Sequence, residues 1–211
     1  MAQNGNLFIV SGPSGAGKSA LVASVLEAVP GLRFSISHTT RAPRGKERNG
    51  VEYFFVDTNR FEMLHESGEF LEWAQVYGNY YGTSKKFIDE MLATGEDVLL
   101  DVDVQGARTI QSRCPDALAI FIMPPSYQVL RERLERRRLD KDYIIEKRLK
   151  IAREEIENYR NYDFLIVNYE LGQSIEELKA IILGSRCRRE RRADLATAII
   201  ATFGGIDAED P

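Results

Sequence analysis

Short apolar runs alternate along the chain with longer segments in which apolar residues recur at helical spacing. Four of these runs, at residues 6–11, 97–103, 117–123 and 164–168, show almost no polar alternation. Such runs are typical of strands buried on both faces of a parallel sheet, and the segments between them can form crossover helices. The pattern therefore predicts an α/β fold in which a parallel sheet is flanked by helices.

The region after the first predicted helix breaks this rhythm. Residues 33–37 and 52–56 are rich in β-forming side chains, and residues 70–82 carry aromatic residues on both sides of a turn at Gly78 and Asn79. Strands joined by such a turn form an antiparallel hairpin. We therefore expect a small, partly antiparallel insert at this point of the chain.

Capping residues, proline and glycine set the expected helix boundaries. Asn59 begins one predicted capping box and Ser174 another. The last helix is expected to run to about residue 201 with local breaks, and the acidic tail 204–211 is expected to fray. The predicted helices cover residues 18–29, 59–66, 85–93, 105–113, 128–138, 143–159 and 174–201.

Composition narrows the functional classes. The 211 residues are 44% hydrophobic, enough for the core of one domain, and the net charge of −4 argues against a general nucleic-acid binder. The sequence has no apolar run long enough to span a membrane, and residues 1–6 lack the pattern of a secretion signal. With only two cysteines, a disulfide framework is not expected, and the predicted location is the cytoplasm.

A glycine-rich segment joins the first apolar run to the first helix and ends in Lys18 and Ser19. It matches the phosphate-binding pattern G-x-x-x-x-G-K-[ST] in the required strand–loop–helix context. Its backbone N–H groups can surround an anion, Lys18 can reach β- and γ-phosphates, and Ser19 can bind Mg²⁺. The alternative is a simple connecting turn. The predicted ATP-binding residues here are Gly12, Pro13, Ser14, Gly15, Ala16, Gly17, Lys18 and Ser19.

Acidic residues follow a second apolar run, at the sheet edge where this loop is expected. Phosphate-loop proteins use an acid at such a strand end to hold Mg²⁺, directly or through water, and Asp101 is the predicted second metal residue. Asp103 would point the same way if the strand continued. The alternative is that both are solvated strand-end acids. The two histidines have no partner at zinc spacing.

Two groups of basic residues could bind phosphate. Arginines crowd residues 131–138, with Lys147 and Arg148 on the next predicted helix, and arginines on a mobile flap stabilise charge in phosphoryl transfer. A solvated helix face is the alternative. In the insert, two arginines near two tyrosines could hold a second phosphate, or could form a surface loop beside core aromatic residues. These four are Arg41, Arg44, Tyr53 and Tyr81.

From residue 7 to about residue 182 the chain resembles guanylate kinases, which transfer the γ-phosphate of ATP to GMP. Five spaced motifs beyond the phosphate loop make the resemblance much more specific than the loop alone. The motifs occupy residues 12–19, 37–44, 49–56, 69–74, 78–83 and 101–106.

The resemblance implies a P-loop NTPase-type core, a GMP-binding insert and a helical lid. The core would comprise residues 1–34, 84–125 and 157–203, the insert about 35–83 and the lid about 126–156. Mg²⁺ would accompany ATP as the cofactor, GMP would be the acceptor, and dGMP a further one.

The resemblance also assigns roles by matched position. Arg41, Arg44, Tyr53 and Tyr81 would hold the GMP phosphate, and Asn168 would lie beside adenine. Among the lid arginines, Arg136 and Arg138 are alternatives to the matched Arg137. Guanine would be read by Ser37, Glu72, Thr83 and Asp103. The catalytic residues would be Lys18, Arg41, Arg137 and Arg148.

Two other functions remain as alternatives from the sequence. Guanylate-kinase-like modules also act as non-catalytic protein-binding domains, which typically lose the phosphate loop. A kinase for another monophosphate or for a phosphorylated sugar could share the fold. Nucleotide binding would distinguish a kinase from a protein-binding module. The preferred acceptor would distinguish a guanylate kinase from a kinase for another substrate.

Overall fold

A five-stranded parallel sheet forms the centre of the molecule. The computed structural model describes residues 4–76, 78–136 and 142–203, and of Asp142 the backbone alone. The strands are β1 (Leu7–Ser11), β2 (Leu32–Phe34), β7 (Asp97–Asp101), β8 (Leu118–Met123) and β9 (Phe164–Val167), in the order β2-β7-β1-β8-β9. Every neighbouring pair is parallel. The predicted α/β fold of the P-loop NTPase type is confirmed.

Eight helices accompany the strands in the described residues. Two short 3₁₀ segments, Ile156–Asn161 and Arg189–Arg192, follow the sixth and seventh helices. The helices are α1 (Lys18–Ala28), α2 (Thr58–Glu66), α3 (Lys85–Ala93), α4 (Val104–Arg113), α5 (Tyr127–Arg136), α6 (Asp142–Glu155), α7 (Leu171–Ser185) and α8 (Ala193–Phe203).

The central strand β1 is buried on both faces because its alternate residues enter two different cores. Phe8 and Val10 pack with residues of α1 and α7. Leu7 and Ile9 pack on the other face with residues of α3 and α4. A strand covered on both faces has no polar alternation, which is the pattern seen in the sequence.

A second, mixed sheet follows α1. Its strands are β3 (His38–Thr39), β4 (Phe54–Phe55), β5 (Phe70–Val76) and β6 (Asn79–Ser84), in the order β4-β3-β6-β5. The predicted hairpin is the antiparallel pair β5–β6. The short β3 and β4 are parallel to each other.

Helices α5 and α6 pack through a small core of their own and cover the phosphate loop. Leu130 and Leu134 of α5 meet Ile145, Leu149 and Ala152 of α6. The loop is so close to α5 that a Cβ added at Gly15 would lie 2.8 Å from Leu130.

Several predicted boundaries were wrong, and at two of them an aspartate that was not expected to cap a helix does so. Asp57, not Asn59, accepts the backbone N–H that begins α2. Strand β7 ends at Asp101, since Asp103 turns to cap α4 and accepts from Gly106. Helix α7 begins three residues before Ser174.

The long C-terminal helix of the prediction is two helices, α7 and α8, separated by a 3₁₀ segment. The predicted fraying of residues 204–211 lies outside the described residues. Among the described helices, none is long and apolar enough to cross a membrane. The boundaries expected for core, insert and lid stay predictions.

Candidate functional site

The glycine-rich loop between β1 and α1 has the backbone conformation that its sequence predicts. Gly12, Gly15 and Gly17 all have positive φ angles, of 137°, 94° and 102°. At Gly12 a Cβ would lie 2.2 Å from the carbonyl oxygen of Ile122 on the neighbouring strand. Only glycine combines this conformation with this close approach, so the loop can direct its N–H groups at an anion.

The loop is held from behind by two polar side chains. Asn168, which is 3% exposed, donates from Nδ2 to the carbonyl oxygen of Ala16 at 2.7 Å. Arg133 of α5 donates to the same carbonyl at 3.2 Å and to the carbonyl of Asn168 at 2.8 Å. A Cβ at Gly17 would lie 2.3 Å from Asn168 Nδ2. These contacts fix the loop before any ligand arrives.

Lys18 and Ser19 follow the loop at the start of α1. The ammonium of Lys18 donates to the carbonyl oxygens of Gly12 at 2.7 Å and Pro13 at 3.4 Å, which leaves donor capacity for a ligand. Ser19 is exposed and lines the same cleft as Asp101. Burial raises the pKa of the Asp101 carboxyl, and the charge of Lys18 opposes that shift.

Arg41 lies at the other side of the cleft, where it pairs with an acid that the sequence reading did not select. Its guanidinium is 3.0 Å from each carboxylate oxygen of Glu47, and Glu47 also accepts the backbone N–H of Arg44 at 2.8 Å. Burial opposes the charge of Arg41, but Glu47 and Tyr81 raise its pKa above the ordinary value. The carboxylate of Glu47 therefore already accepts from the guanidinium donors of Arg41 that are expected to bind phosphate.

Aromatic rings surround this arginine. Arg41 lies 5.2 Å from the ring centroid of Tyr53, and Tyr53 meets Tyr81 edge to face with centroids 5.9 Å apart. Burial, with the negative charge of Asp101, raises the pKa of Tyr53 to about 12, so its hydroxyl remains a donor at neutral pH. Arg44 lines the cleft with an exposed side chain.

The buried carboxylate of Glu72 lies on β5, next to the first turn of α4. Glu72 is 4% exposed and accepts the Thr83 hydroxyl at 2.5 Å. Burial raises the pKa of Glu72 to about 7. The hydrogen bond from Thr83 opposes this shift, and the negative charge of nearby Asp103 adds to it. Ser37 lines the cleft on the same side. This group presents acceptors and a hydroxyl to a flat polar ligand.

The arginines of the last group are only partly described. Arg148 of α6 donates to the Ser14 hydroxyl at 2.7 Å, which brings α6 onto the phosphate loop. Arg137 and Arg138 lie outside the described residues, and Arg136 is the last described residue of α5. The predicted approach of a second arginine to phosphate stays a prediction.

One cleft of about 580 Å³ collects most of the predicted residues. Pro13, Ala16, Thr83 and Asn168 are not on its wall: Pro13 and Ala16 turn their carbonyls to Lys18 and Asn168, and Thr83 is covered behind Glu72. The predicted residues on the wall are Gly12, Ser14, Gly15, Gly17, Lys18, Ser19, Ser37, Arg41, Arg44, Tyr53, Glu72, Tyr81, Asp101, Asp103 and Arg148.

The sequence selected neither Glu47 nor Glu155, and it grouped Arg133 with its neighbouring arginines without indicating its role at the phosphate loop. Glu47 was hidden in a polar loop, and Arg133 among five arginines of one helix end. Glu155, at the end of α6, lines the cleft, where burial raises its pKa to about 7 against the opposing charge of Lys18. Their helical or loop spacing resembles that of ordinary surface residues, so only tertiary contacts identify them.

The cleft therefore has two cationic, donor-rich regions: the phosphate loop with Lys18 and Arg148, and the Arg41 cluster in the second sheet. Between them lie carboxylates that can accept N–H groups or bind a divalent cation. Such an arrangement can bind two phosphate-bearing ligands at once and stabilise charge between them.

Comparisons with known proteins agree with this geometry. The family model described as guanylate kinase matches residues 4–184. The guanylate kinase of Koribacter versatilis is 51% identical over 189 residues, 88% of this chain and 81% of that protein. The guanylate kinase of Geobacter sulfurreducens is 44% identical over 201 residues, 95% of this chain and 99% of that protein. The crystal structure of guanylate kinase from Anaplasma phagocytophilum aligns with a TM-score of 0.77 at 33% identity and covers 90% of each chain.

Proposed function

The chain belongs to the guanylate kinase family, whose reaction is the ATP-dependent phosphorylation of GMP to GDP, and we propose that the cleft between the phosphate loop and the second sheet carries out this reaction. The observation that carries the proposal is the pair of cationic regions in one cleft. ATP would place its phosphates on residues 12–19, and GMP its phosphate on Arg41, Arg44, Tyr53 and Tyr81.

We assign recognition of guanine to Glu72 with Ser37 and Asp103. Thr83 was also expected to read guanine, but it is fully covered and donates its hydroxyl to Glu72, so its role would be to hold that carboxylate in place. Guanine carries adjacent donors at N1 and N2, and one ionised carboxylate can accept both. Adenine presents an acceptor at N1, so its lone pair would face the charge of Glu72. Buried polar mismatches of this kind can discriminate by about 10⁴.

No general base is required for the chemical step, because the attacking phosphate oxygen of GMP is already anionic. The protein supplies position and charge. Lys18, Arg41 and Arg148 would stabilise the transferring group, and Arg137 would add a further positive charge. The carboxylate of Glu47 would leave Arg41 as the substrate phosphate enters, since both anions use the same guanidinium donors.

Mg²⁺ fits the residues present, and we assign it to Ser19 and Asp101. Both offer hard oxygen atoms on one cleft wall, and Mg²⁺ is usually bound by one or two protein oxygens together with phosphates and water. Asp101 is a carboxylate whose charge is disfavoured by burial, so a nearby cation would stabilise it. When bound, the metal neutralises charge on the β- and γ-phosphates.

The test is ADP formation from ATP and Mg²⁺ with GMP, dGMP, AMP, CMP, UMP and dTMP offered separately. Turnover with GMP, and weaker turnover with dGMP, is expected. Turnover with another acceptor alone would retain the kinase mechanism but refute the guanine-reading residues. Absence of ATP binding would favour a protein-binding module instead.

Partners and location follow from these substrates. We propose that small nucleotides are the partners, with no role for nucleic acid or a membrane surface, since the charged groups of the site are arranged around one cleft. The cytoplasm supplies ATP, and the two cysteines of the chain are free, which is consistent with a reducing compartment.

A further inference from the structure

Helix α4 packs against β5 directly behind the carboxylate of Glu72. At the far end of α4, Arg113 donates from Nη1 to the backbone carbonyl of Leu71. At the near end, Gly106 lies in the first turn and is buried. The helix therefore lies against β5 at both of its ends, next to Leu71 and next to Glu72, the residue proposed to read guanine.

The space at Gly106 is filled by the two acids of the site. A Cβ built on Gly106 would lie 2.9 Å from Glu72 Oε2, 3.3 Å from Glu72 Cδ and 3.2 Å from Asp103 Oδ1. Its φ angle is not among the positive values, so conformation does not require glycine here. Since alanine is favoured over glycine inside a helix, the requirement at this position is one of room alone.

Neither carboxylate can move away freely. Oε1 of Glu72 is fixed by the Thr83 hydroxyl, and Oδ1 of Asp103 is fixed by the backbone N–H of Gly106 itself. A methyl group at residue 106 would therefore have to displace Glu72 Oε2, break its alignment with Thr83, or push α4 away from β5.

We propose that Gly106 is a specificity-determining position, which keeps α4 close enough to β5 to align the Glu72 carboxylate with the guanine edge. This inference rests on the guanine-reading role proposed above for Glu72. Gly106 touches no substrate; it acts by positioning Glu72. Replacing Gly106 should weaken the binding of GMP and leave the ATP side of the cleft intact.

The experiment compares Gly106→Ala with Gly184→Ala, a helical glycine of α7 around which nothing lies within 4 Å of an added Cβ. Gly106→Ala is expected to raise the KM for GMP at least about tenfold and to narrow the GMP-over-AMP ratio, because two aligned hydrogen bonds are disturbed. Its KM for ATP should stay that of the parent. Gly184→Ala should leave all three quantities unchanged. An unchanged KM for GMP in a folded Gly106→Ala protein would overturn the inference.

A thermodynamic cycle with Glu72→Ala separates this inference from the function beneath it. In the Glu72→Ala background the methyl group no longer meets the Glu72 carboxylate, and only the longer 3.2 Å approach to Asp103 Oδ1 remains. Adding Gly106→Ala should therefore change the KM for GMP by less than about twofold. If Glu72→Ala alone leaves the GMP-over-AMP ratio unchanged, the proposed reading of guanine fails. If Glu72→Ala removes the discrimination between GMP and AMP while Gly106→Ala leaves the KM for GMP unchanged, only the inference about Gly106 fails.

Folding failure also decides the matter. If Gly106→Ala does not fold but the double variant with Glu72→Ala does, as followed by thermal unfolding, the conflict lies between the methyl group and the carboxylate, as proposed. If both proteins fail to fold, the methyl group conflicts with α4 packing in general, and the positioning role is refuted.

Discussion

Lys18 is the cation at the start of α1 that we expect to join the phosphate loop to its ligand. Its ammonium already contacts two loop carbonyls and keeps the capacity for a further acceptor. Lys18→Ala is expected to lower kcat by a factor of at least about 10², because it removes a positive charge that would face the transferring phosphoryl group. Steady-state kinetics test this, and circular dichroism checks the fold. Lys150→Ala, an exposed lysine of α6, is the control for loss of one positive charge; equal losses in both variants would contradict the assignment.

We expect the choice of substrate to depend on pH through Glu72. Burial raises the pKa of its carboxyl to about 7, and the proposed reading of guanine requires the ionised form. As pH falls through about 7 the carboxyl gains a proton, so kcat/KM for GMP should decrease. A protonated carboxyl can donate to adenine N1, so discrimination against AMP should narrow as well.

The pH profile has two controls. Glu72→Gln should abolish the titration near pH 7. The titration of the substrate phosphate, whose second pKa is about 6, should remain. Thr83→Val should shift the titration upward, because the Thr83 hydroxyl lowers the pKa of Glu72. Glu155 also has a pKa raised to about 7 in this cleft. If Glu155→Gln, rather than Glu72→Gln, removed the titration, the profile would belong to Glu155.

Among the elements, α5 supports the phosphate loop from outside the cleft. Two hydrogen bonds from Arg133 fasten the phosphate loop and the end of β9 to this helix. Arg133→Met is expected to raise the KM for ATP about tenfold, with the KM for GMP unchanged, because the loop loses a charged donor to two carbonyls. Kinetics at saturating second substrate measure both constants.

Arg131, two residues earlier on α5, is the matched control. It makes surface ion pairs with Glu135 and Glu146, which contribute little to packing. Arg131→Met should leave both constants near the parent values. If both variants raise the KM for ATP equally, positive charge on α5, and not the fastening of the loop, sets ATP affinity.

The elements also show what sequence periodicity can and cannot predict. The buried strands and the phosphate loop were predictable because their apolar pattern and glycines are local requirements. The start of α4 was not, because Asp103 could continue a strand or cap a helix, and packing against β5 decides between them. Glu47 was equally hidden, since its partner Arg41 is identified only when the loop folds back on itself.

In the whole molecule, one buried acid joins segments that are far apart in sequence. Asp97, which is 3% exposed, accepts from Asn6 N at 2.6 Å, from Asn6 Nδ2 at 2.9 Å and from Arg186 Nε at 2.7 Å. Arg186 also donates to the carbonyl of Pro30 at 2.9 Å. This group ties the segment before β1, the turn after α1 and the end of α7 to the sheet, at a distance from the cleft residues.

Removing that acid tests how far stability and catalysis are separable. Asp97→Ala is expected to lower the free energy of unfolding by about 3–5 kcal/mol, because Arg186 and the Asn6 donors lose a buried partner. Urea denaturation measures the loss, and kcat at a temperature where the variant is folded should stay near the parent value. Combined with Arg186→Met, the loss should be smaller than the sum of the single losses. Glu96→Ala, which removes the exposed neighbouring pair with Arg33, should cost little. An additive double variant would mean that Asp97 stabilises the fold without Arg186, and Arg186 would then hold the C-terminal end of α7 through the carbonyl of Pro30.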